Sequence, residues 1–457
     1  MALDERKARK MIEGPIFKTL FFYSLPIIIM NVFQMLFHAA DVAVLGLMAG
    51  DAEVAAVGAC GSLISMLLCL FSGYSSAANV VISRKVGEGD VEGARRATGT
   101  AIVLGLLSGL ILMSVTLVFA RRFLIMTNCQ PEILDLATLY MRIYFLGMPI
   151  TMLYNFVAAI LRSTGDSMRP MIYMTVSGVL NVGANVIFVG ALKMTVDGVA
   201  WATVLSNSVA LVLALVAIAR NKGYCKVELK NLRIRKREFL EIMRIGIPTC
   251  VQGLAFYFGE VVIVSGVNSI SADAMTGNAI ASQVDRLVYI IGSSIASASG
   301  VMVSQNFGSG NLKRVRKVVR VCMLYTVAAT LGSGIIAVLI DDGVLGLLTE
   351  SAAVIELAKG RMILTCLTNF ITCGTEALGN MVRALKRPYV LLVGGIVGGF
   401  AVRSFWTWFV WPLVGGVPFL FIALPLSTFV GGVMYTFVYF RAMKSHEREL
   451  LGTASAI

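Results

Sequence analysis

The sequence predicts an all-α polytopic membrane protein with twelve transmembrane helices in two six-helix lobes, related by a pseudo-two-fold axis along the membrane normal. Three observations lead to this fold class: the composition, the lengths of the apolar segments, and a direct repeat. Of the 457 residues, 57% are apolar and 14% are charged, and the mean hydropathy is +0.82. Soluble domains contain about 25% charged residues. A soluble fold could not bury this much apolar surface, and a disordered chain needs the opposite composition.

Twelve apolar segments are each long enough to cross a bilayer, which takes about 20 residues per helix. Charged stretches or stretches rich in Gly, Pro and Asn separate them, and none shows the period-two alternation of a membrane-spanning strand. The segments are 16–47, 53–83, 94–120, 132–161, 168–190, 197–220, 237–267, 272–305, 313–340, 353–383, 388–412 and 418–443.

The net charge is +13, and the positions of the basic residues along the chain predict the membrane topology. Basic residues mark the cytoplasmic ends of transmembrane helices, and here they lie in the N-terminal tail and after the even-numbered segments. The densest group is the stretch between the sixth and seventh segments, 220–237. We therefore expect a multi-pass protein of the cell membrane with both termini in the cytoplasm, and no nucleic-acid partner. The eight cysteines form no CxxC pair, so neither a disulfide framework nor a zinc site is expected.

The two halves of the chain repeat each other in the same orientation. GEGDVEGARR at 87–96 returns as GSGNLKRVRK at 308–317, an offset of 221 residues, and each copy follows the second segment of its half. Six segments per half is an even number, so both halves enter the membrane from the same side, a common transporter plan. The predicted domains are an N-lobe at 1–220, a basic cytoplasmic linker at 221–236 and a C-lobe at 237–457.

Three motifs resemble the multidrug and toxic compound extrusion (MATE) transporters. They are the paired Gly-rich loops, LRSTGDSMRP at 161–170, and NVIFVGALKMTVDGVAWATV at 185–204. The resemblance covers nearly the whole chain. It implies a V-shaped, alternating-access antiporter, not an enzyme, that exports organic cations or drugs in exchange for H⁺ or Na⁺ and needs no other cofactor. We expect a monomer.

Ionisable residues inside a membrane are costly and are the first place to look for function. At about 1.5 Å per helical residue, Asp41, Asn181, Asn185 and Thr203 lie in one layer, roughly 8–14 Å below the outer surface. Their oxygens suit Na⁺ or a protonatable carboxylate in a hydrogen-bonded cage. The same positions match the cation site of the family's N-lobe, except that some members carry a second acid where this chain has Asn185. The alternative is a structural carboxylate satisfied by neighbouring amides.

Two further polar residues share a helix face with Asp41. Gln34 and His38 precede it at helical spacing, so His38 either modulates the proton affinity of Asp41, lines a cavity, or packs as a hydrogen-bonded side chain.

The C-lobe offers Glu260, Asp285 and Arg403 as candidates. Glu260 and Arg403 reach similar depths, and Asp285 lies slightly deeper, so a carboxylate–arginine pair serves either the lobe's structure or its function. Glu260 also matches an acid of NorM-type family members. Glu376 lies roughly 15–20 Å from Glu260 in height, at about 1.5 Å per residue, so we do not expect the two to share a cation site.

Two functions other than antiport are also conceivable for a polytopic membrane chain. A lipid-linked precursor flippase of the same superfamily predicts a cavity dominated by basic residues and often two more spans, whereas acids outnumber bases in these segments. A membrane-embedded enzyme needs a nucleophile or metal motif such as HExxH or GxSxG, and neither occurs.

Overall fold

The protein is built from helices joined by short connections. The computed structural model describes residues 3–227, 229–346, 349 and 351–454, and no β-strand occurs within these ranges. In the first half of the chain the helices are α1 (Leu3–Glu13), α2 (Ile16–Met48), α3 (Asp51–Gly87), α4 (Val91–Met126), α5 (Leu134–Leu146), α6 (Met148–Ser163), α7 (Met168–Asn185) and α8 (Val196–Ala219).

The second half continues with helices of similar length and a run of shorter ones. They are α9 (Lys236–Asn268), α10 (Ala272–Gly308), α11 (Leu312–Leu339), α12 (Asp341–Gly346), α13 (Ala352–Ala384), α14 (Tyr389–Gly394), α15 (Arg403–Phe405), α16 (Trp411–Val414), α17 (Val417–Phe421) and α18 (Ala423–Ala454).

The lengths and apolar surfaces of these helices confirm the predicted membrane fold. Within the described ranges, ten helices or helix runs are long and apolar enough to cross a bilayer, and α5 and α6 together make an eleventh. The remaining predicted span, 353–383, is α13, whose 33 residues also suffice in length but include more charged side chains. Large apolar side chains face outward, among them Leu47 (85% exposed) and Leu413 (84%). Such surfaces are rare on soluble proteins and typical of lipid contact.

The fourth predicted span differs from the prediction because it is not one straight helix. The segment 132–161 was expected to be continuous, but it breaks into α5 and α6 with a bend of 47°. Pro149 occupies the first turn of α6. Proline has no N–H and its ring meets the carbonyl four residues back, which favours a kink or a break in a helix. The bend therefore coincides with a proline, although α2 and α9 continue through Pro26 and Pro248.

Two spans contain wide π-helical turns. In one span a single π-helical turn follows α7, at Val186–Ala191. In the other span two π-helical turns flank α15, at Gly395–Val402 and Trp406–Val410. These are the fifth predicted spans of the two halves, so both copies of the repeat carry the feature. Wide turns of this kind occur frequently at functional sites.

The chain divides into two compact units. The first contains Met1–Lys10 and Leu25–Gly246, and the second contains Met11–Ser24 and Ile247–Ile457. The predicted linker, 221–236, lies within the first unit. There it packs under α4: Thr100 Oγ1 donates to the Arg233 carbonyl over 3.3 Å.

The repeated Gly-rich loops have the same conformation in each unit. Gly89 and Gly310 have φ values of 72° and 74°. In the first unit the Asp90 carboxylate accepts from the Gly93 N–H over 2.7 Å, which caps α4. In the second unit Asn311 caps α11 through the Arg314 N–H over 2.9 Å. The sequence repeat is thus also a structural one at this position, with one titratable and one neutral cap.

All eight cysteines are free, as the sequence led us to expect. Six are buried, and only Cys69 and Cys129 are partly exposed. Small apolar packing is their role in this fold.

Candidate ion-coupling site

The four predicted N-lobe residues are joined in one hydrogen-bonded chain in the first unit. Nδ2 of Asn185 donates to Oδ1 of Asp41 over 2.5 Å and to Oδ1 of Asn181 over 3.4 Å. Nδ2 of Asn181 donates to Oγ1 of Thr203 over 3.4 Å, and this hydroxyl donates to the Val199 carbonyl over 3.0 Å. The chain therefore runs from α2 through α7 to α8.

Local structure explains why these side chains meet. Asn181 and Asn185 are four residues apart and lie on one face of α7, against α8. Asn185 is also the last residue before the π-helical turn. On the α2 side, Gly178 leaves room for the ring of Phe37, which a Cβ at that position would overlap. This close approach brings Asp41 within reach of α7.

The two asparagines of the site are buried, and one of them has an unsatisfied acceptor. Asn181 is 6% exposed and Asn185 is fully buried. Within the described residues, Oδ1 of Asn185 has no hydrogen-bond donor. A buried carbonyl oxygen without a donor is expensive, so it fits a cation or an acidic proton at this position.

The ligand set is compatible with a monovalent cation rather than a carboxylate-rich metal site. Among the described residues, no group of three or more His, Cys, Asp or Glu side chains could hold a metal ion. The oxygens of Asp41, Asn185, Asn181 and Thr203 are hard ligands of the kind that Na⁺ accepts, with one negative charge among them.

Sequence reasoning missed two tyrosines of the first unit, Tyr140 and Tyr144. They lie on α5 with ring centroids 5.9 Å apart. Tyr140 is 4% exposed. The two tyrosines are four residues apart in a predicted span. This helical spacing was the signal in the sequence that could have identified them. Gln34 and His38, in contrast, lie on exposed parts of α2.

In the second unit, Glu260 and Arg403 form an ion pair. Nη1 of Arg403 lies 3.0 Å from Oε2 of Glu260, and Nε donates to Oγ of Ser427 over 3.0 Å. The guanidinium also lies over the ring of Phe256, 5.4 Å from its centroid. Arg403 starts α15, between the two π-helical turns of its span. The side chain of Arg403 is 7% exposed, whereas that of Glu260 is 43% exposed.

The remaining acids of the second unit have other partners. Asp285 accepts from Nδ2 of Asn369 over 2.6 Å, between α10 and α13. Glu376 accepts from the Tyr289 hydroxyl over 3.0 Å. The three carboxylates thus have three different first partners.

Comparison with known proteins identifies the family. The MatE family model matches residues 26–187 and 248–401, which together make up more than half of the chain and correspond to its two repeats. This chain belongs to the MatE family. The matched ranges include Asp41, Asn181, Asn185 and Glu260, whereas Thr203 and Arg403 lie outside them.

Other MATE proteins are similar over most of their length. The probable multidrug resistance protein YpnP of Bacillus subtilis is 28% identical over 312 residues, 68% of this chain and 69% of the relative. The probable multidrug resistance protein NorM of Thermotoga maritima is 27% identical over 347 residues, 75% of this chain and 74% of the relative. The relatives are transporters, which confirms that this MATE protein is a multi-pass membrane transporter and not an enzyme.

A solved structure supports the fold independently. A MATE family transporter of the MOP superfamily in an outward-facing conformation has a TM-score of 0.88 against this chain. It is 20% identical in sequence and covers 96% of this chain and 98% of the solved chain. At this identity the likeness concerns the MATE fold.

Proposed function

We propose that this protein is a secondary active antiporter that exports small organic cations or drugs in exchange for H⁺ or Na⁺ by alternating access, with Asp41 as the coupling carboxylate. The observation that carries the proposal is the buried polar chain at Asp41, with the unsatisfied Oδ1 of Asn185 beside it. The names of the curated relatives, which are multidrug resistance proteins, support the substrate class.

A neutral hydrogen-bond partner is what makes Asp41 suitable. Its carboxylate accepts from Nδ2 of Asn185, an amide that carries no charge. A neutral donor compensates a buried negative charge only in part, and a bound cation or proton relieves the remaining cost. The bound ion stabilises one conformation of the transporter, and a bound cationic substrate stabilises another. Binding of either one therefore favours release of the other.

Both coupling ions fit the local chemistry. A protonated Asp41 can donate a hydrogen bond to the side-chain oxygen of Asn185. This requires the Asn185 amide to present its oxygen to Asp41, and the orientation of an amide depends on its hydrogen-bond partners. A sodium ion would use the oxygens of Asp41, Asn185 and Thr203. Asn181 then holds Asn185 in place from one turn earlier in α7.

The charge distribution supports a membrane topology for the transporter. We place both termini and the basic 221–236 stretch in the cytoplasm, in the cell membrane, because basic residues concentrate at those helix ends. We propose that the monomer is the transporting unit, with six spans on each side of the linker.

Asp41→Asn tests the proposal. Purified protein is reconstituted in liposomes, and efflux of the fluorescent cation ethidium is followed under an imposed pH gradient or, separately, a Na⁺ gradient. We expect one gradient to drive efflux by the wild type, and Asp41→Asn to reduce that efflux by about a hundredfold or more, because the amide cannot bind the ion.

The matched control is Asp51→Asn, which removes an exposed acid near the start of α3 and should leave efflux within about twofold. Size-exclusion and thermal-unfolding profiles establish that each variant is folded. Gradient-driven efflux by Asp41→Asn at the wild-type rate would refute the coupling role. Failure of both gradients to drive any organic cation in the wild type would refute antiport.

A further inference from the structure

A cleft lies between the start of α7 and the end of α8, at the membrane boundary of the first unit. Its volume is about 550 Å³, and Arg169, Tyr173, Leu213, Arg220 and Lys222 are among the residues that line it. Arg169 and Tyr173 are four residues apart on α7, and Leu213 and Arg220 are seven apart on α8. Each helix therefore turns one continuous face towards the cleft.

One end of the cleft is positively charged. Arg220 and Lys222 are exposed, and among the described residues no carboxylate lies within 4 Å of either. Nε of Arg169 lies 3.3 Å from Oδ2 of Asp166, and Nζ of Lys7 lies 2.8 Å from Oδ1 of the same residue. Asp166 is 3% exposed and faces two cations. The end of the cleft keeps a net positive charge.

The other wall of the cleft is apolar. Leu213, Val216 and Ala217 lie one turn or more deeper along α8 than Arg220, on the same face. Because α8 ends at Ala219, this wall lies within the hydrocarbon layer and the basic end lies at the level of the headgroups. Tyr173 stands opposite on α7, and an aromatic ring with a hydroxyl is typical of this interface.

We propose that this cleft binds one anionic phospholipid of the leaflet that faces the basic ends of the helices. Its phosphate lies between Arg169, Arg220 and Lys222, and one acyl chain lies along Leu213 and Ala217. A free phosphate ion would use only the basic end. The apolar wall on the same helix face favours a lipid, because it matches an acyl chain attached to the headgroup.

Binding is tested with the purified full-length protein by native mass spectrometry, titrating phosphatidylglycerol or phosphatidylcholine with identical acyl chains. We expect the wild type to bind one phosphatidylglycerol at least about tenfold more tightly than phosphatidylcholine. In the double variant Arg220→Gln, Lys222→Gln this preference should fall about tenfold or more, since each basic residue near the headgroups contributes to attraction of anionic lipid.

The repeat supplies a matched control. Arg441 stands 221 residues after Arg220, and both Arg441 and Lys444 are exposed on α18. The double variant Arg441→Gln, Lys444→Gln removes the same charge near the equivalent position of the second repeat and should keep the preference within about twofold. Ala217→Trp fills the apolar wall while it retains every basic side chain, and should weaken phosphatidylglycerol binding about tenfold.

Three results would overturn the proposal. They are equal binding of the two lipids by the wild type, an unchanged preference in the Arg220, Lys222 variant, and displacement of phosphatidylglycerol by excess inorganic phosphate, which would indicate a free-anion site. The measurement uses neither an ion gradient nor an exported substrate. Its failure is therefore distinguishable from a failure of the antiport proposal.

Discussion

Asp41 and Glu260 lie on the first long helix of their repeats, yet their surroundings are opposite in kind. Asp41 in the first unit accepts from the neutral amide of Asn185, which is fully buried. Glu260 in the second unit is paired with a buried arginine that also bonds to Ser427. A carboxylate with a fixed counter-charge has little to gain from binding a cation, whereas one held by neutral donors has much to gain. On the proposed antiport function, we therefore expect the first unit to carry the coupling and the second to carry a structural ion pair.

Packing beside the two carboxylates gives the largest expected difference in stability. A Cβ at Gly259 would overlap the Gly399 carbonyl oxygen, which belongs to the backbone of a π-helical turn, whereas a Cβ at Gly178 would overlap only the Phe37 ring. Because backbone moves less readily than a side chain, Gly259→Ala should destabilise the protein by about 2–3 kcal/mol and Gly178→Ala by about 1 kcal/mol. Thermal unfolding in detergent measures both. Equal effects, or a larger one for Gly178→Ala, would contradict this difference between the units.

Neutralising each acid tests the comparison directly. Glu260→Gln leaves the Arg403 guanidinium buried without its counter-charge, which costs about 3–5 kcal/mol for a fully buried pair. Since the Glu260 side chain is 43% exposed, solvent screening reduces the expected loss to about 2 kcal/mol. Asp41→Asn keeps the hydrogen-bonding shape of its site, so we expect a change below about 1 kcal/mol.

The same two variants should rank in the reverse order in transport. Asp41→Asn loses gradient-driven efflux, and Glu260→Gln retains at least about a tenth of it once the amount of folded protein is matched. If Glu260→Gln abolished efflux without loss of stability, the coupling function would belong to the second unit instead.

The smallest expected effect concerns the capping residues of the repeated loops. Burial of Asp90 works towards a higher pKa, but the Gly93 N–H and the ammonium group of Lys85 outweigh it and hold the pKa of this carboxyl below its usual range. Because its pKa is lower in the folded protein, the Asp90 carboxylate contributes its full stabilisation above about pH 4. This contribution is lost as the pH falls through the folded-state pKa. Asn311 in the second unit does not titrate.

Asp90→Asn should therefore change stability by less than about 0.5 kcal/mol at pH 7, because asparagine is an equally good cap, and should remove part of the loss below pH 4. Unfolding temperatures at pH 7 and pH 3.5 measure the effect. The reciprocal Asn311→Asp should add acid sensitivity. An unchanged acid response in both variants would show that these caps do not contribute.

Much of this architecture can be predicted from the sequence because membrane-spanning helices follow simple rules of length and charge. The apolar segments, the 221-residue offset and the layer containing Asp41, Asn181, Asn185 and Thr203 follow from counting residues along helices. Depth along the membrane normal is enough to propose that side chains meet when helices are close. The assignment of these residues to ion coupling stays a prediction until transport is measured.

The features that the sequence did not predict depend on turns and side-chain contacts. Residue counts along a helix do not give either of these. The π-helical turns at 186–191 and 395–402 change the helix face without changing the apolar pattern, so the contacts of Arg403 with Ser427 and Phe256 were not foreseen. Tyr140 and Tyr144 were overlooked because aromatic residues are common in spans. The bend after α5 had a visible signal in Pro149, since proline disfavours a continuous helix, but α2 and α9 continue through Pro26 and Pro248, so a proline alone does not predict a break.

The distribution of thiols has a practical consequence for spectroscopy. A thiol must be accessible and ionised to react with a maleimide or a spin label. Burial raises the pKa of the Cys225 thiol, and five other cysteines are also buried. Replacement of Cys69 and Cys129 alone should give a chain with a nearly silent labelling background. Paired reporter cysteines at chosen helix ends could then measure distances in each state of the transport cycle.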